Sequence, residues 1–224
     1  MKSLPLVTAM LLLAALLHAQ PDISVADYIA GQVGDTLAFE NLSRSDSSLH
    51  VIVYETSTLA ASRVRESNGE ERVIGVNEHG WQLFSLRIGD QDFSLPRPIT
   101  LLPAQATRSR TYRQNVAVPS GKLTFETVLL GFEAAKTPLR NFVNCLKIRQ
   151  TISLKTPIGK LTQERIAWYA REIGPVKFIK KTRHASEQTT VAALLQSAII
   201  GGKPLAGRRQ IGRASCRERV CHRV

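Results

Sequence analysis

The side-chain types best suited to chemistry are concentrated close to the C-terminus of this 224-residue chain, where Cys216 and Cys221 are followed directly by His222. Two cysteines can form a disulfide in an oxidising compartment, and thiolates with an imidazole are typical zinc ligands. A structural zinc site needs four such ligands, and the rest of the sequence supplies no second half of a site. The sequence therefore predicts neither a metal site nor a cofactor.

The same segment resembles translated adapter sequence more than an evolved motif. Residues 211–220 read IGRASCRERV, which a common sequencing-library adapter encodes in one reading frame. We therefore expect residues 208–224 to form a disordered tail without a role of their own; a natural basic tail is the alternative. Without this tail only Cys145 is left to interpret, and we expect it to be a small buried hydrophobic residue in a strand.

Catalytic motifs are missing from the sequence. It contains no G-x-S-x-G, H-E-x-x-H, glycine-rich phosphate loop or C-x-x-C pattern. The histidines His50, His79 and His184 fall in separate predicted elements, and we expect each to be exposed or at a strand end. The adjacent carboxylates Glu70 and Glu71 lie at a predicted turn, where carboxylates are usually solvated. An enzyme would need titratable groups from several strands to converge, so we expect a non-enzymatic protein.

One short segment is densely basic in a chain whose formal net charge is +12. Residues 177–184 read KFIKKTRH, and Lys177, Lys180 and Lys181 are candidates for contact with an anionic membrane surface or an envelope protein. The alternative is a solvated strand end that discourages pairing at a sheet edge. Aromatic rings for base stacking are scarce here, with only Phe178 available, so no nucleic-acid partner is expected.

The N-terminus has the features of an export signal over residues 1–20. Lys2 precedes an apolar stretch at residues 4–17, and the small residue Ala19 comes just before the chain turns polar. That stretch is shorter than the ~20 residues of a typical membrane span. We expect cleavage near Ala19 or Gln20, with an uncleaved anchor as the alternative. No cysteine follows the stretch, so a periplasmic or secreted protein without a lipid anchor is predicted.

Short strand patterns separated by turns run through the rest of the chain. Residues 142–156 alternate apolar and polar side chains, which is typical of a strand with one buried face. Asn68 and Gly69 form a hairpin signal between two strand patterns. Residues 161–174 fit helix or strand, and we predict a strand because glycines bracket them like hairpin turns. Residues 189–200 would be helical on propensity alone, yet they complete the strand pattern.

Two details of the middle of the chain can be predicted. The segment 96–103 contains three prolines, so it cannot be a central strand and is expected to cross or close an edge of the sheet. In the preceding strand, Trp81 and Leu83 should face one side, and Phe84 and Leu86 the other.

Together these patterns predict one all-β domain over residues 21–207. It should be a strongly curved antiparallel meander sheet, a half-barrel or open barrel with little helix. Aromatic side chains would fill its core or, if the concave face is open, line a groove for an acyl chain or an apolar segment of a partner. The candidates for this apolar face are Phe39, Trp81, Phe84, Phe125, Trp168 and Phe178.

Four stretches resemble a group of bacterial exported proteins, the TapB-like and related domains of unknown function. The stretches are residues 28–40, residues 79–86 with 96–103, residues 137–153 and residues 164–178. The resemblance implies a curved sheet similar to the LolA-like and LprG-like lipoprotein-carrier half-barrels, and a location in the cell envelope. It carries over no catalytic residue.

The function expected from the sequence is therefore that of an exported binding module. Its ligand would be a lipid, an acyl chain or an apolar partner segment on the concave face of the sheet. The alternative is a structural or interaction protein of the envelope that uses the basic face around Lys177, Lys180 and Lys181 on anionic surfaces.

Overall fold

The structure is a computed structural model that describes residues 23–29, 31–43, 49–58, 61–89, 91–157 and 159–207. Within these ranges nearly all residues lie in strands, with one short helix, α1, at Ala26–Ile29. The strands are β1 Ile23–Ser24, β2 Thr36–Asn41, β3 Leu49–Thr58, β4 Ala61–Glu66, β5 Glu71–Asn77, β6 Gly80–Ile88, β7 Gln91–Leu102, β8 Gln105–Ala106, β9 Thr111–Val118, β10 Gly121–Lys136, β11 Asn141–Thr156, β12 Gly159–Ala170, β13 Gly174–His184, β14 Glu187–Ile200 and β15 Lys203–Pro204. The predicted leader, residues 1–20, and the predicted tail, residues 208–224, lie outside the described residues.

The large sheet is formed by two antiparallel meanders. Its strand order is β7-β6-β5-β4-β3-β2-β14-β13-β12-β11-β10-β9, and β15 pairs with β14. The pairing of β2 with β14 joins the two meanders in the middle of the sheet. The edge strands β7 and β9 approach each other to within 8 Å between Cα atoms, so the sheet curls almost into a closed barrel. The predicted all-β, strongly curved antiparallel sheet is confirmed.

Alternating side chains explain why the interior fills with apolar groups. Successive residues of a strand point to opposite faces, so every second residue of a strand enters the barrel. In β11, Leu146, Ile148 and Leu154 are buried, whereas Lys147 and Arg149 stay accessible on the other face. The predicted apolar and wet faces of this strand are therefore confirmed.

The two segments of ambiguous pattern are both strands, as predicted. Residues 161–170 belong to β12 and residues 171–173 form the turn to β13, whereas residues 189–200 form most of β14. In β14 the inward residues Ala193 and Leu195 are fully enclosed between β13 and β2. Helix propensity differs by only a few tenths of a kcal/mol per residue, so pairing on both sides of the strand and burial of one face outweigh it.

The proline-rich segment lies in the edge strand β7, in agreement with its predicted place. Ser94 pairs with Ser85 and Ile99 pairs with Leu83, so residues 95–98 of β7 lie opposite one residue of β6. Two of the prolines fall in this irregular stretch, where their missing N–H groups leave no gap in the hydrogen-bond ladder.

The predicted direction of Leu86 is wrong. Ile74 of β5 pairs with Leu83, and the next β5 residue, Val73, pairs with Ser85. Phe84 is therefore an extra residue in β6, and such a bulge reverses the alternation that follows it. Leu86 consequently points into the barrel, where it is buried beside Arg72 of the neighbouring strand.

Helix α1 lies over one end of the barrel. It contacts β5 and β6 on one side and β12 and β13 on the other. Ile29 is buried from α1, Val25 is buried from the residue before it, and Asp27 forms an ion pair with Arg171 at the β12–β13 turn. In the described part of the chain, no helix has the length and apolar character needed to cross a bilayer.

Cys145 has the predicted environment of a small apolar residue. It lies in β11 with no exposed surface, and its thiol donates to the carbonyl of Phe142 at 3.8 Å. Burial raises the pKa of the Cys145 thiol to about 11. The thiol is therefore protonated at neutral pH and unsuited to act as a nucleophile.

Candidate functional site

The barrel interior contains a group of charged side chains that meet around the carboxylate of Glu66. Arg165 donates to Glu66 Oε1 at 2.6 Å, and Arg72 donates to the same oxygen at 2.8 Å. The second oxygen, Oε2, lies 3.1 Å from His50 Nε2 and 3.5 Å from Lys180 Nζ. Glu66, Arg165 and Lys180 are only 3%, 6% and 4% exposed. We call the following set the ionic cluster: His50, Glu66, Glu70, Arg72, Gln163, Arg165 and Lys180.

Strand register explains how this cluster forms. Arg165 of β12 and Lys180 of β13 are direct cross-strand partners on the inner face, an arrangement in which like charges repel. Carboxylates from the opposite side of the barrel offset that repulsion. Glu66 ends β4, and Glu70 follows in the turn, where its Oε1 accepts from Lys180 at 2.9 Å and from Gln163 at 2.9 Å. The cluster therefore ties the first meander to the second across the barrel.

The electrostatics of Glu66 follow from its surroundings. Burial alone would raise its pKa, because a low-dielectric interior disfavours the charged carboxylate. Arg165, then Arg72, the hydrogen bond with His50 and finally Lys180 act in the opposite direction. Their combined effect holds the pKa of Glu66 well below its usual range, so the carboxylate stays ionised at neutral pH.

Aromatic rings form one wall of the ionic cluster. The guanidinium of Arg165 lies over the Phe178 ring, 4.5 Å from its centroid. Phe178 also meets His50 and Phe39 edge-on, at 5.1 and 5.2 Å between ring centroids. A desolvated cation over a ring face is stabilised by about 2 kcal/mol, so Phe178 supports the cluster as well as the core.

The low pKa of Glu66 predicts an acid-sensitive fold. The ionised carboxylate contributes stability at every pH above the ordinary glutamate value of about 4.3, and that contribution disappears as the pH falls through the lower pKa of the folded state. We expect the melting temperature, followed by circular dichroism, to fall between about pH 5 and pH 2.

A Glu66→Gln variant should show a flatter pH dependence in that window, because it lacks the titrating carboxyl group. Asp92 and Glu133, whose pKa values are lowered by hydrogen bonds from Arg87 and Lys147, remain in this variant. The difference between the two proteins therefore isolates Glu66. Parallel curves for the two proteins would contradict the assignment.

One expectation from the sequence is wrong at this site. His50 lies at the start of β3, one of the two positions expected for it, and there it is buried and paired with Glu66. Glu70 turns into the barrel to meet Lys180, so it is not a solvated turn carboxylate. Both residues sit near strand ends in the sequence, and only the curvature of the sheet brings the opposite strands close enough to enclose them. His79 and His184 are exposed, as expected.

A second feature lies on the outer face of β9 to β13. A hollow of about 890 Å³ opens there, over residues that alternate with the buried ones of the same strands. Lys122, Lys155 and Lys160 are direct cross-strand neighbours in β10, β11 and β12 and form one row along its floor. Neighbouring strands are about 4.8 Å apart, so the three lysine side chains leave the sheet next to one another. Among the described residues, no carboxylate lies within 4.0 Å of any of them.

A row of hydroxyl groups runs beside the lysines. Thr124, Ser153 and Thr162 are cross-strand neighbours one step along the same face. The Ser153 and Thr162 hydroxyls lie 3.4 Å apart, and Thr124 donates to Asn115 of β9 at 2.9 Å. In the Ser153–Thr162 pair one hydroxyl hydrogen stays free, and it can donate to the same oxyanions that attract ammonium groups.

The hollow continues onto β13. A neighbouring hollow of about 590 Å³ shares Lys160 and Thr162 with the first and is bordered by further basic side chains. Together the two have six basic and two acidic side chains, a net charge of +4. We call this outer surface the basic trough, defined by Arg113, Lys122, Lys155, Lys160, Lys181 and Arg183.

The three lysines predicted to form one basic face are separated by the structure. Lys181 belongs to the basic trough, and Lys177 lies elsewhere on the outer face, with its ammonium group 4.3 Å from the Trp168 ring centroid. Lys180 points into the barrel, which corrects its predicted place on the surface. The reason is alternation: Lys180 and Lys181 are adjacent in β13 and must face opposite sides.

The predicted apolar face is also divided. Phe39, Phe125 and Phe178 are enclosed in the core, and Trp81 packs edge-on against Tyr169. These inward rings fill the barrel, so they do not line the open groove that was expected. Trp168 is buried as well, with its ring between the ammonium groups of Lys147 and Lys177, and Phe84 is half-buried at the β6 bulge. No metal-binding group of His, Cys, Asp and Glu occurs among the described residues.

Comparisons with known proteins find only solved structures that resemble this chain weakly. No family model matches the chain, so the TapB-like resemblance stays a prediction, and no curated protein matches it either. A candidate exported protein with a YmcC-like fold from Bacteroides fragilis is 12% identical over 75% of this chain and 97% of its own, with a TM-score of 0.36. A candidate lipoprotein from Parabacteroides distasonis is 13% identical over 76% and 97%, with a TM-score of 0.39.

The hypothetical lipoprotein YmcC from Escherichia coli is 10% identical over 88% of this chain and 97% of its own, with a TM-score of 0.36. At these values the likeness carries no argument about function.

Proposed function

We propose that this is an exported, non-enzymatic interaction protein of the cell envelope that binds a linear polyanion in the basic trough. The observation that best supports an anionic partner is the row formed by Lys122, Lys155 and Lys160. Like charges directly opposite each other destabilise a sheet. A row of three lysines, none with a carboxylate within 4.0 Å among the described residues, is unfavourable for folding alone, and an anionic partner would relieve that repulsion.

The shape and lining of the trough support a chain-like partner. The basic residues of the trough follow one another across β9 to β13, so an extended chain can contact several of them at once. The residues that line both hollows include no aromatic ring, which disfavours single-stranded nucleic acid because its bases stack on such rings. Hydroxyl and ammonium donors both suit a chain that carries carboxylate or phosphate groups.

The filled interior is the reason for preferring the trough to an acyl-binding groove. The inward aromatic side chains are packed against one another, and the cavity beside the ionic cluster has a volume of about 30 Å³. Small-molecule pockets usually measure about 300–1,000 Å³. The interior cavity is therefore far too small for an acyl chain.

Fluorescence anisotropy with labelled polyglutamate and polyphosphate tests the proposal. We expect binding that weakens as salt is added, because the interaction joins exposed charges. Replacing Lys122, Lys155 and Lys160 together by glutamine should weaken it roughly 100-fold, at about 1 kcal/mol for each ammonium group.

A variant of equal charge change provides the control. Arg97, Lys136 and Lys203 are exposed and lie outside the trough. Replacing all three by glutamine should leave the affinity within a few-fold of wild type. An equal loss in both variants would show that only net charge matters. Binding to phosphatidylglycerol vesicles without binding to either polymer would indicate a membrane contact. Either result would overturn the proposal.

A further inference from the structure

We propose that the partner in the basic trough is an extended acidic peptide segment whose acidic side chains lie along one edge. Glu126 and Glu164 of the trough select such a segment by repelling polymers that are charged along both edges. This inference rests on the proposed function and names the class of partner for the same site. It follows from the order in which the charges are arranged across the trough.

The two carboxylates of the basic trough lie away from the lysine row, which is formed by Lys122, Lys155 and Lys160. Glu126 comes four residues after Lys122 in β10, and Glu164 comes four residues after Lys160 in β12. Residues an even number of positions apart in a strand share a face, so all of these side chains point outward. At about 3.3 Å per residue, about 13 Å separates the carboxylates from the lysine row.

The row that contains the carboxylates has no net charge, and we call it the mixed row. Cross-strand pairing places Arg113, Glu126, Thr151, Glu164 and Lys181 next to one another from β9 to β13. Arg113 Nε lies 3.3 Å from Glu126 Oε1, whereas Glu164 has no basic group within 4.0 Å among the described residues. The carboxylate of Glu164 is therefore free to act on a bound partner.

The distance between the rows makes them act separately on a bound chain. The Debye length at physiological ionic strength is about 8 Å, so a lysine row about 13 Å away does not neutralise the field of the carboxylates. A polymer with anions along both edges would bring some of them against Glu126 and Glu164, and like charges that face each other repel. A chain with anions along one edge avoids this repulsion. Its other edge can carry neutral donors, whose hydrogen bonds a carboxylate accepts.

An extended peptide with acidic residues at alternate positions has this pattern. Successive side chains of an extended segment point to opposite sides, so the acidic ones share an edge and the neutral ones share the other. Neutral side chains such as asparagine would then donate to the mixed row while the carboxylates meet the lysine row. The residues that line both hollows include no aromatic ring on which a sugar ring could pack, so a peptide is favoured over an acidic polysaccharide.

Two peptides of the same composition and length test the inference by fluorescence anisotropy on the full chain. One alternates glutamate with asparagine, and the other repeats two glutamates followed by two asparagines. Their charges are equal, but in an extended chain only the first has all its carboxylates on one edge. We expect the alternating peptide to bind roughly 10-fold more tightly.

The possible failures of this experiment are distinguishable. Equal affinities for the two peptides, both weakened in the glutamine variant of Lys122, Lys155 and Lys160, would overturn the inference and leave the proposed function standing. An absence of binding to either peptide and to polyphosphate would overturn both. Tighter binding of an oligogalacturonate with the same number of carboxylates would indicate a saccharide partner and would overturn the inference alone.

A double variant, Glu126→Gln with Glu164→Gln, tests the selecting residues directly. The preference for the alternating peptide should fall to within about threefold, because the repulsion of the other peptide is removed. Glu78→Gln with Glu172→Gln changes the net charge equally at exposed residues outside the trough, so the preference should be kept. A preference that survives in the first variant, or is lost equally in both, would overturn the role of Glu126 and Glu164.

Discussion

Replacing Glu66 by leucine is expected to lower the free energy of unfolding by about 3–5 kcal/mol, because it removes the shared partner of several buried cations. Arg72, Arg165 and Lys180 would then face one another with only Glu70 to balance them, a net charge of +2 instead of +1. Urea unfolding followed by circular dichroism measures the change. A loss below about 1 kcal/mol would show that the cluster is solvated and structurally unimportant.

Two further variants separate charge from packing. The double variant Glu66→Leu with Arg165→Met restores the native net charge of +1, so it should recover part of the lost stability. Glu55→Leu makes the same chemical change in the neighbouring strand β3, at a partly exposed residue paired with Arg65. Its effect should stay within about 1 kcal/mol, as for other surface ion pairs. Simple additivity in the double variant would argue against coupling of Glu66 and Arg165.

Sequence patterns were sufficient for the strands and insufficient for the ionic cluster. Alternation predicts β11 correctly, and turn residues such as Asn68 and Gly69 locate the β4–β5 hairpin because both effects are local. The contact of Glu66 with Arg165 joins residues 99 positions apart in sequence. It depends on the curvature of the whole sheet, which no local pattern specifies. The one sequence feature that could have indicated the ionic cluster was a charged residue at an inward position of a strand, such as Arg165.

The basic trough, like the ionic cluster, could not be predicted from local sequence patterns. Lys122 is far in sequence from Lys155 and Lys160, which lie on either side of the β11–β12 turn, and none of the three belongs to the dense basic run at residues 177–184. They become one row only when the register of β10, β11 and β12 is known. The dense run is misleading for the opposite reason, because alternation sends neighbouring lysines to opposite faces of β13. A cluster of charged residues on a sheet can therefore be recognised only when the pairing of the strands is known.

Truncation of Phe178 to alanine is the other change expected to have a large effect, about 3–5 kcal/mol of unfolding free energy. The ring is completely buried, meets Phe39 and His50 edge-on, and lies under the guanidinium of Arg165. Its removal would leave a cavity in the core and would also take away the aromatic surface that stabilises a buried cation. Urea unfolding measures the loss.

Phe132→Ala is the matched control for Phe178→Ala, because the same atoms are removed from a ring that is 47% exposed. Phe132 contacts Tyr28 at 5.8 Å between ring centroids, so a loss of about 1 kcal/mol or less is expected. Phe178→Leu keeps most of the buried volume but not the aromatic face. Its loss should fall between those of the two alanine variants if the ring supports Arg165 as well as the core. A leucine variant as stable as wild type would show that volume alone matters at this position.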